Sequence, residues 1–151
     1  MSVFNPDQFM QQEVTGQLDT SIIPVPQGDY PATITKVAAR QVQGKDGGTS
    51  TILDVTWEVA DEGVKKVTKR EKSTVRQSVF LDITGQGSID MSKGANVQLG
   101  ALRDVLKQNW KDKPWNPNML MGKTARIIVE HKPNDAAPES PYANVKKAVA
   151  L

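Results

Sequence analysis

Between Val64 and Arg76, six bases (Lys65, Lys66, Lys69, Arg70, Lys72 and Arg76) stand against one acid, Glu71. Clustered ammonium and guanidinium groups displace condensed counterions from phosphates, whatever bases those phosphates carry. The 151-residue chain has a net charge of only +2, so the remainder holds 13 bases and 16 acids. A near-neutral body with one basic segment points to a localised anionic partner rather than to general adhesion. The competing reading is a solvated hairpin whose lysines discourage edge-to-edge aggregation.

Other residue patterns resemble catalytic sites and then fail. Gly122-Lys123-Thr124 looks like the end of a phosphate-binding P-loop, but Pro117 stands where that pattern requires glycine, and the run opens a strand. Asp82-Ile83-Thr84-Gly85 is one residue too long for the Asp-Thr-Gly of aspartic proteases. Asp54, Glu58, Asp61 and Glu62 could attract a hard cation, although a polar strand face accounts for them as well. His131 has no accompanying serine and acid at a useful spacing. Gly44-Lys45-Asp46-Gly47 matches the backbone-clamping loop of KH domains, yet it lies between apparent strands and reads as hairpin chemistry. Cysteine is absent and histidine occurs once. That excludes thiolate nucleophiles, disulfides, iron–sulfur clusters and imidazole-rich metal sites, and it suits a reducing compartment. The expectation is a protein without enzymatic activity, cofactor or metal.

The secondary structure that carries these residues follows from periodicity. With 38% hydrophobic and 24% charged residues, the chain can build one packed core. No apolar run is long enough to span a membrane, and no signal-peptide block opens the chain. Asn5-Pro6-Asp7-Gln8 predicts a capped short helix from about Pro6 to Gln12, with Phe4 and Phe9 flanking it. Ile22-Ile23-Pro24-Val25-Pro26-Gln27-Gly28 then reads as an extended lead-in.

Strands start at Tyr30. Ala32 and Ile34 share one parity and Val37 takes the other, which predicts a bulge in the first strand. The second strand alternates cleanly, with Leu53, Val55, Trp57 and Val59 inward and Asp54, Thr56 and Glu58 outward. The third, Ser73 to Asp82, turns Val75, Val79 and Leu81 inward and Arg76, Ser78 and Phe80 outward. Leu99, Leu102, Val105 and Leu106 then form a helical stripe over about Asn96 to Asn109. A fourth strand carries Ala125, Ile127 and Val129, and a fifth runs from about Tyr142 to Val149.

Three strands, a helix and two strands give a mainly β chain. The expected fold is a five-stranded, OB-fold-like Greek-key barrel with one helix between strands 3 and 4. Residues 1–29 form an N-terminal extension and residues 30–151 the OB-fold-like domain. A β-sandwich and a half-barrel on one helix are the rival folds. OB-folds bind oligonucleotides on the outer face of strands 2 and 3 and on the loops joining strands 1–2 and 4–5. Mapped here, that surface gathers Arg40, Lys45, Arg76, Phe80 and Lys132, with Lys65 to Lys72 as an arm between strands 2 and 3. Phe80 is the sheet residue on which a base can stack; Tyr142, Trp110 and Trp115 are additions. Trp57 belongs to the core by alternation. Asp54 and Glu58 fall on the binding face, where they oppose phosphates.

Phe4-Asn5-Pro6, the run Pro24 to Tyr30, Leu53 to Val59 and Gly122-Lys123-Thr124-Ala125 together resemble a family of small tailed-phage proteins. That family is left as domains of unknown function or assigned to phage single-stranded DNA-binding proteins. The resemblance implies an OB-fold protein acting in phage DNA replication or recombination in the host cytoplasm. Its partners would be single-stranded DNA and phage or host replication proteins, with a homo-oligomer left open. One departure stands out: many such proteins end in an acidic tail, whereas this chain ends Lys146-Lys147-Ala148-Val149-Ala150-Leu151. The alternative function is a phage structural or assembly protein, a small β-barrel of head or tail. Its extension would then reach a neighbouring subunit.

Overall fold

The computed structural model describes residues 4–18, 23–138 and 140–151; Ile22, the first residue of the expected lead-in, lies outside them. Five strands carry the architecture: β1 (Gly28–Gln43), β2 (Thr49–Val59), β3 (Ser73–Leu81), β4 (Thr124–Lys132) and β5 (Tyr142–Val149). They form one sheet in the order β1-β2-β3-β5-β4, which closes on itself because β4 also pairs with β1. The chain is mainly β, with few helices. Among the described residues, no helix is long and apolar enough to cross a membrane.

β1 makes the closure. Gly28 to Thr33 pair with β4 and Ala32 to Gln43 with β2, and the register shifts between Ile34 and Lys36. This is the bulge that the Val37 parity change predicts, and it bends the strand between two partners. Gly122 and Lys123 tie the bend down: Gly122 donates to the Ile34 carbonyl at 2.8 Å, and Ile34 N donates to the Lys123 carbonyl at 2.9 Å. Gly122 has φ +81°, a conformation that side chains with a Cβ rarely adopt. The P-loop-like tripeptide is therefore a strand start.

The inward parities meet in one core. Trp57, Val55, Ile34, Leu53, Val75, Val79, Ala125 and Ile127 are buried, joined by Leu120 and by Leu99 and Leu102 of a helix, α3 (Val97–Val105), between β3 and β4. Trp57 donates from Nε1 to Gln77 Oε1 at 2.9 Å, so its one polar atom is satisfied. Helix α3 ends four residues earlier than its apolar stripe predicts. Lys107 takes φ 58°, and the Lys107 and Gln108 amides bond the Asp104 and Arg103 carbonyls at 3.0 and 2.8 Å. That pattern is a Schellman stop with lysine where glycine is usual.

The N-terminal helix, α1 (Pro6–Met10), is also shorter than expected and buries none of its residues. Asn5 caps it, accepting from the Asp7 and Gln8 amides at 3.0 and 3.2 Å. Farther on, Val25 is a core residue and β1 starts at Gly28, so sheet and core take up the last residues assigned to the extension.

The largest departure concerns the basic segment. Its first part is neither an extended arm nor a hairpin but a helix, α2 (Glu62–Thr68). Asp61 caps it by accepting from Val64 N at 3.0 Å, and Val64 and Thr68, one turn apart, are both buried. The cap and the i, i+4 spacing outweigh a charge run that looks solvated. The helix stops at Lys69, whose φ is 59°.

Candidate nucleic-acid interface

Antiparallel pairing sets the outward side chains of β1, β2 and β3 in rows. Arg40, Ile52 and Phe80 form one row; Ala38, Asp54 and Ser78 the next; Lys36, Thr56 and Arg76 the third. Phe80 is 55% exposed beside Ile52, which is only 5% exposed, so an aromatic face stands on an apolar support. Arg76 and Phe80 thus share the outer face, as their parity predicts.

Both acids on this face are matched. Arg40 Nε lies 2.6 Å from Asp54 Oδ2, and Lys72 Nζ lies 3.7 Å from Glu58 Oε1. Ser78 Oγ adds a long contact to the other Asp54 oxygen at 3.5 Å. Arg76 and Lys36 form no ion pair among the described residues. They line a small hollow of about 80 Å³ with Ala38, Asp54 and Thr56. Lys36 is absent from the residues that sequence reasoning assembles. Its signal was the same parity change: a bulge before Val37 turns Lys36 outward opposite Thr56.

The other expected residues divide between the two ends of the sheet. Lys45 lies in the β1–β2 turn, closed by Gly44 N to the Gly48 carbonyl at 2.7 Å and by Gly48 N to Asp46 Oδ1 at 3.0 Å. This end adjoins a groove of about 690 Å³ lined by Gln41, Ser50, Phe80, Asp82 and Asp90 among others. Serine hydrogen bonds hold the Asp90 carboxyl below the usual range, the Ser92 hydroxyl contributing most. Lys132 ends β4 opposite Tyr142 and lies 3.9 Å from Glu130. It belongs to the far end of the sheet, about 30 Å from the β1–β2 turn by the length of β2. The strand 1–2 and 4–5 loops therefore do not gather Lys45 and Lys132 beside each other. Strand order fixes this, since β4 runs antiparallel to β1 and delivers its last residues where β1 begins.

The basic segment also sits at this far end, and its charges have different fates. Lys65 bonds Glu62 at 3.1 Å and Glu71 at 3.3 Å, and those two hydrogen bonds raise its pKa. Arg70 Nη2 donates to the Ile23 carbonyl at 2.9 Å. Lys66 and Lys69 are exposed, with no ion pair among the described residues. Arg70 and Thr74 line a groove of about 510 Å³ with Pro24, Asn134, Ser140 and Tyr142. Tyr142 is 57% exposed, which puts a second aromatic face beside the basic segment.

Two of the tryptophans are committed elsewhere. Trp57 is core, whereas Trp115 is half-buried under the Arg103 guanidinium, 4.2 Å from its centroid, with Nε1 bonded to Gln108 at 2.9 Å. Trp110 has Lys113 Nζ 5.4 Å from its centroid. His131 Nε2 lies 2.7 Å from the Val25 carbonyl, a contact that ties the lead-in to β4. Among the described residues, no group of three acids or histidines could hold a metal ion.

A face with an exposed aromatic ring, uncommitted cations and neutralised acids can accept stacked bases and their phosphates together. The chain matches no protein-family model, and no curated protein matches it.

Proposed function

We propose that this is a non-enzymatic single-stranded DNA-binding protein with an OB-fold and little sequence preference, acting in phage DNA replication or recombination in the host cytoplasm. The observation that carries the reading is the outer β1–β2–β3 face, where Phe80 stands in one row and Arg76 with Lys36 two rows away. The sheet order supports the fold assignment, since a five-stranded meander-and-return closed through a long, bulged first strand is the OB arrangement. Stacking on Phe80 would contribute about 1–3 kcal/mol per base. The cations would add a term that depends on salt and ignores base identity. Lys66, Lys69, Arg70 and Tyr142 would extend the track toward the β4–β5 end.

Anisotropy of an end-labelled oligo-dT, titrated with protein at low and high salt, tests this. Saturable binding that weakens with salt, and that exceeds binding to a duplex of equal length, is the expected result. Absence of binding at low salt overturns the reading. The rival, a phage structural or assembly protein, is favoured by one observation: helix α1 buries none of its residues, as suits an arm reaching another subunit. Detection of the protein in purified virions would support it.

A further inference from the structure

Residues 1–29 contain four acids, Asp7, Glu13, Asp19 and Asp29, and no base; residues 30–151 hold 19 bases against 13 acids. Asp29 belongs to β1, 3.8 Å from Arg126, so the stretch 4–18 carries two acids, Asp7 and Glu13, and no base, whereas the body is basic. The acidic segment is also apolar. Phe9 is 54% exposed, and Met10, Val14 and Leu18 are exposed with it. Phe4 stacks on Phe9 with ring centroids 5.3 Å apart, which holds Phe9 in a fixed place on α1. Every residue from 4 to 18 is exposed, so the stretch keeps apolar and acidic surface open to solvent.

A surface that covers such a segment must offer apolar area and positive charge together. The outer β1–β2–β3 face does: Phe80 beside Ile52 supplies the apolar area, and Lys36 and Arg76 supply cations without carboxylate partners among the described residues. We propose that residues 4–18 dock on this face of a second copy of the chain, with Phe9 and Met10 against Phe80 and with Asp7 and Glu13 toward Lys36 and Arg76.

Arg70 holds the Ile23 carbonyl at 2.9 Å, which anchors the root of the extension beside α2. Two copies exchanging extensions about a twofold axis satisfy both faces at once. Phe9 and Phe80 are 54% and 55% exposed, so roughly half of the about 150–250 Å² that an aromatic side chain can bury remains, and the four rings add about 330–550 Å². Even with Met10 beside them this is below a standard interface and corresponds to weak, reversible association. The proposal stands apart from the nucleic-acid reading, because association is measured without DNA. If both hold, extension and single strand exclude one another.

Sedimentation velocity of the full chain across a concentration series, at low and high salt, is the test. The wild type should associate reversibly and less at high salt. F9A/M10A should weaken association about tenfold or more, through lost apolar burial. D7K/E13K and K36E/R76E should each remain monomeric alone, while an equimolar mixture of the two should restore the dimer. All six positions are exposed, and circular dichroism checks that each variant stays folded. A wild type that is monomeric throughout overturns the proposal. So does association that none of the variants alters, or a folded mixed pair that fails to associate. A change of compactness on substitution, with no dependence on concentration, would place the extension on its own body and equally overturn it.

Discussion

Arg40 Nε sits 2.6 Å from Asp54 Oδ2, reaching diagonally across the β1–β2 ladder from the Ile52 row to the next. The Asp54 side chain is 14% exposed and that of Arg40 is 44% exposed, so the acid is largely covered while the base still faces solvent. A carboxylate that would repel phosphates is thereby matched where it stands.

The first prediction follows from that pairing. Asp54→Asn keeps the shape, removes the negative charge and leaves Arg40 uncommitted. Binding to oligo-dT should tighten several-fold at low salt, and the salt dependence should steepen by about 0.7, one additional phosphate contact. Stability should change by less than about 1 kcal/mol, as for a partly exposed ion pair. Anisotropy titrations at several salt concentrations, with urea denaturation as control, check both. Weaker binding by a stable Asp54→Asn protein would mean that the acid itself contacts the ligand.

Phe80 and the α2 lysines should separate two kinds of contribution. Phe80→Ala should lower affinity by about 1–3 kcal/mol with the salt slope nearly unchanged, because stacking displaces few ions. Lys66→Ala with Lys69→Ala should flatten the slope by about 1–1.4, weakening every sequence alike. Lys65→Ala should do less, since that ammonium already faces Glu62 and Glu71. Equal slopes for all three proteins would remove α2 from the binding track.

Trp57 is fully buried and bonded to Gln77. Trp57→Ala should destabilise the fold by about 3–5 kcal/mol through the cavity it leaves. Trp57→Phe fills more of the space but leaves Gln77 Oε1 without its donor, at about 1–3 kcal/mol. Denaturant midpoints measure both. Oligonucleotide affinity of the folded Trp57→Phe protein should be unchanged, because Trp57 faces the core.

Tyr30 supplies a prediction in pH. Its hydroxyl donates to the Pro26 carbonyl at 2.8 Å, and burial first, then Asp61 and Asp29, raises its pKa above the tyrosine value of 10.0. The folded protein therefore keeps this proton to higher pH than the unfolded chain does. Stability falls as pH rises above the unfolded value and stops falling above the folded one. Thermal unfolding should show a lower midpoint on going upward from pH 10, and Tyr30→Phe should remove part of that slope. An identical alkaline slope in the variant would assign it to other groups.

Alternation alone placed the inner faces of β2 and β3, since residue types along a strand report which side is buried. It also located the bulge through Val37, the helix through Leu99 and Leu102, and Arg76 and Phe80 on the outer face. Asn5 and Pro6 marked the N-terminal helix because capping is a local interaction. What stayed hidden depends on contacts between residues distant in the chain. The α2 lysines read as a solvated run because a charge count does not register that Val64 and Thr68 meet the core on one helical face. Lys36 was missed because the consequence of a bulge appears only when a partner strand supplies the row. The neutralisation of Asp54 by Arg40, and of Glu58 by Lys72, joins residues 14 positions apart in each case. Strand order decided that Lys45 and Lys132 lie at opposite ends, because the direction in which β4 returns along β1 is a property of the closed sheet. Side-chain type and periodicity are local and therefore legible, whereas the pairing of charges and the grouping of loops are set by which strands become neighbours.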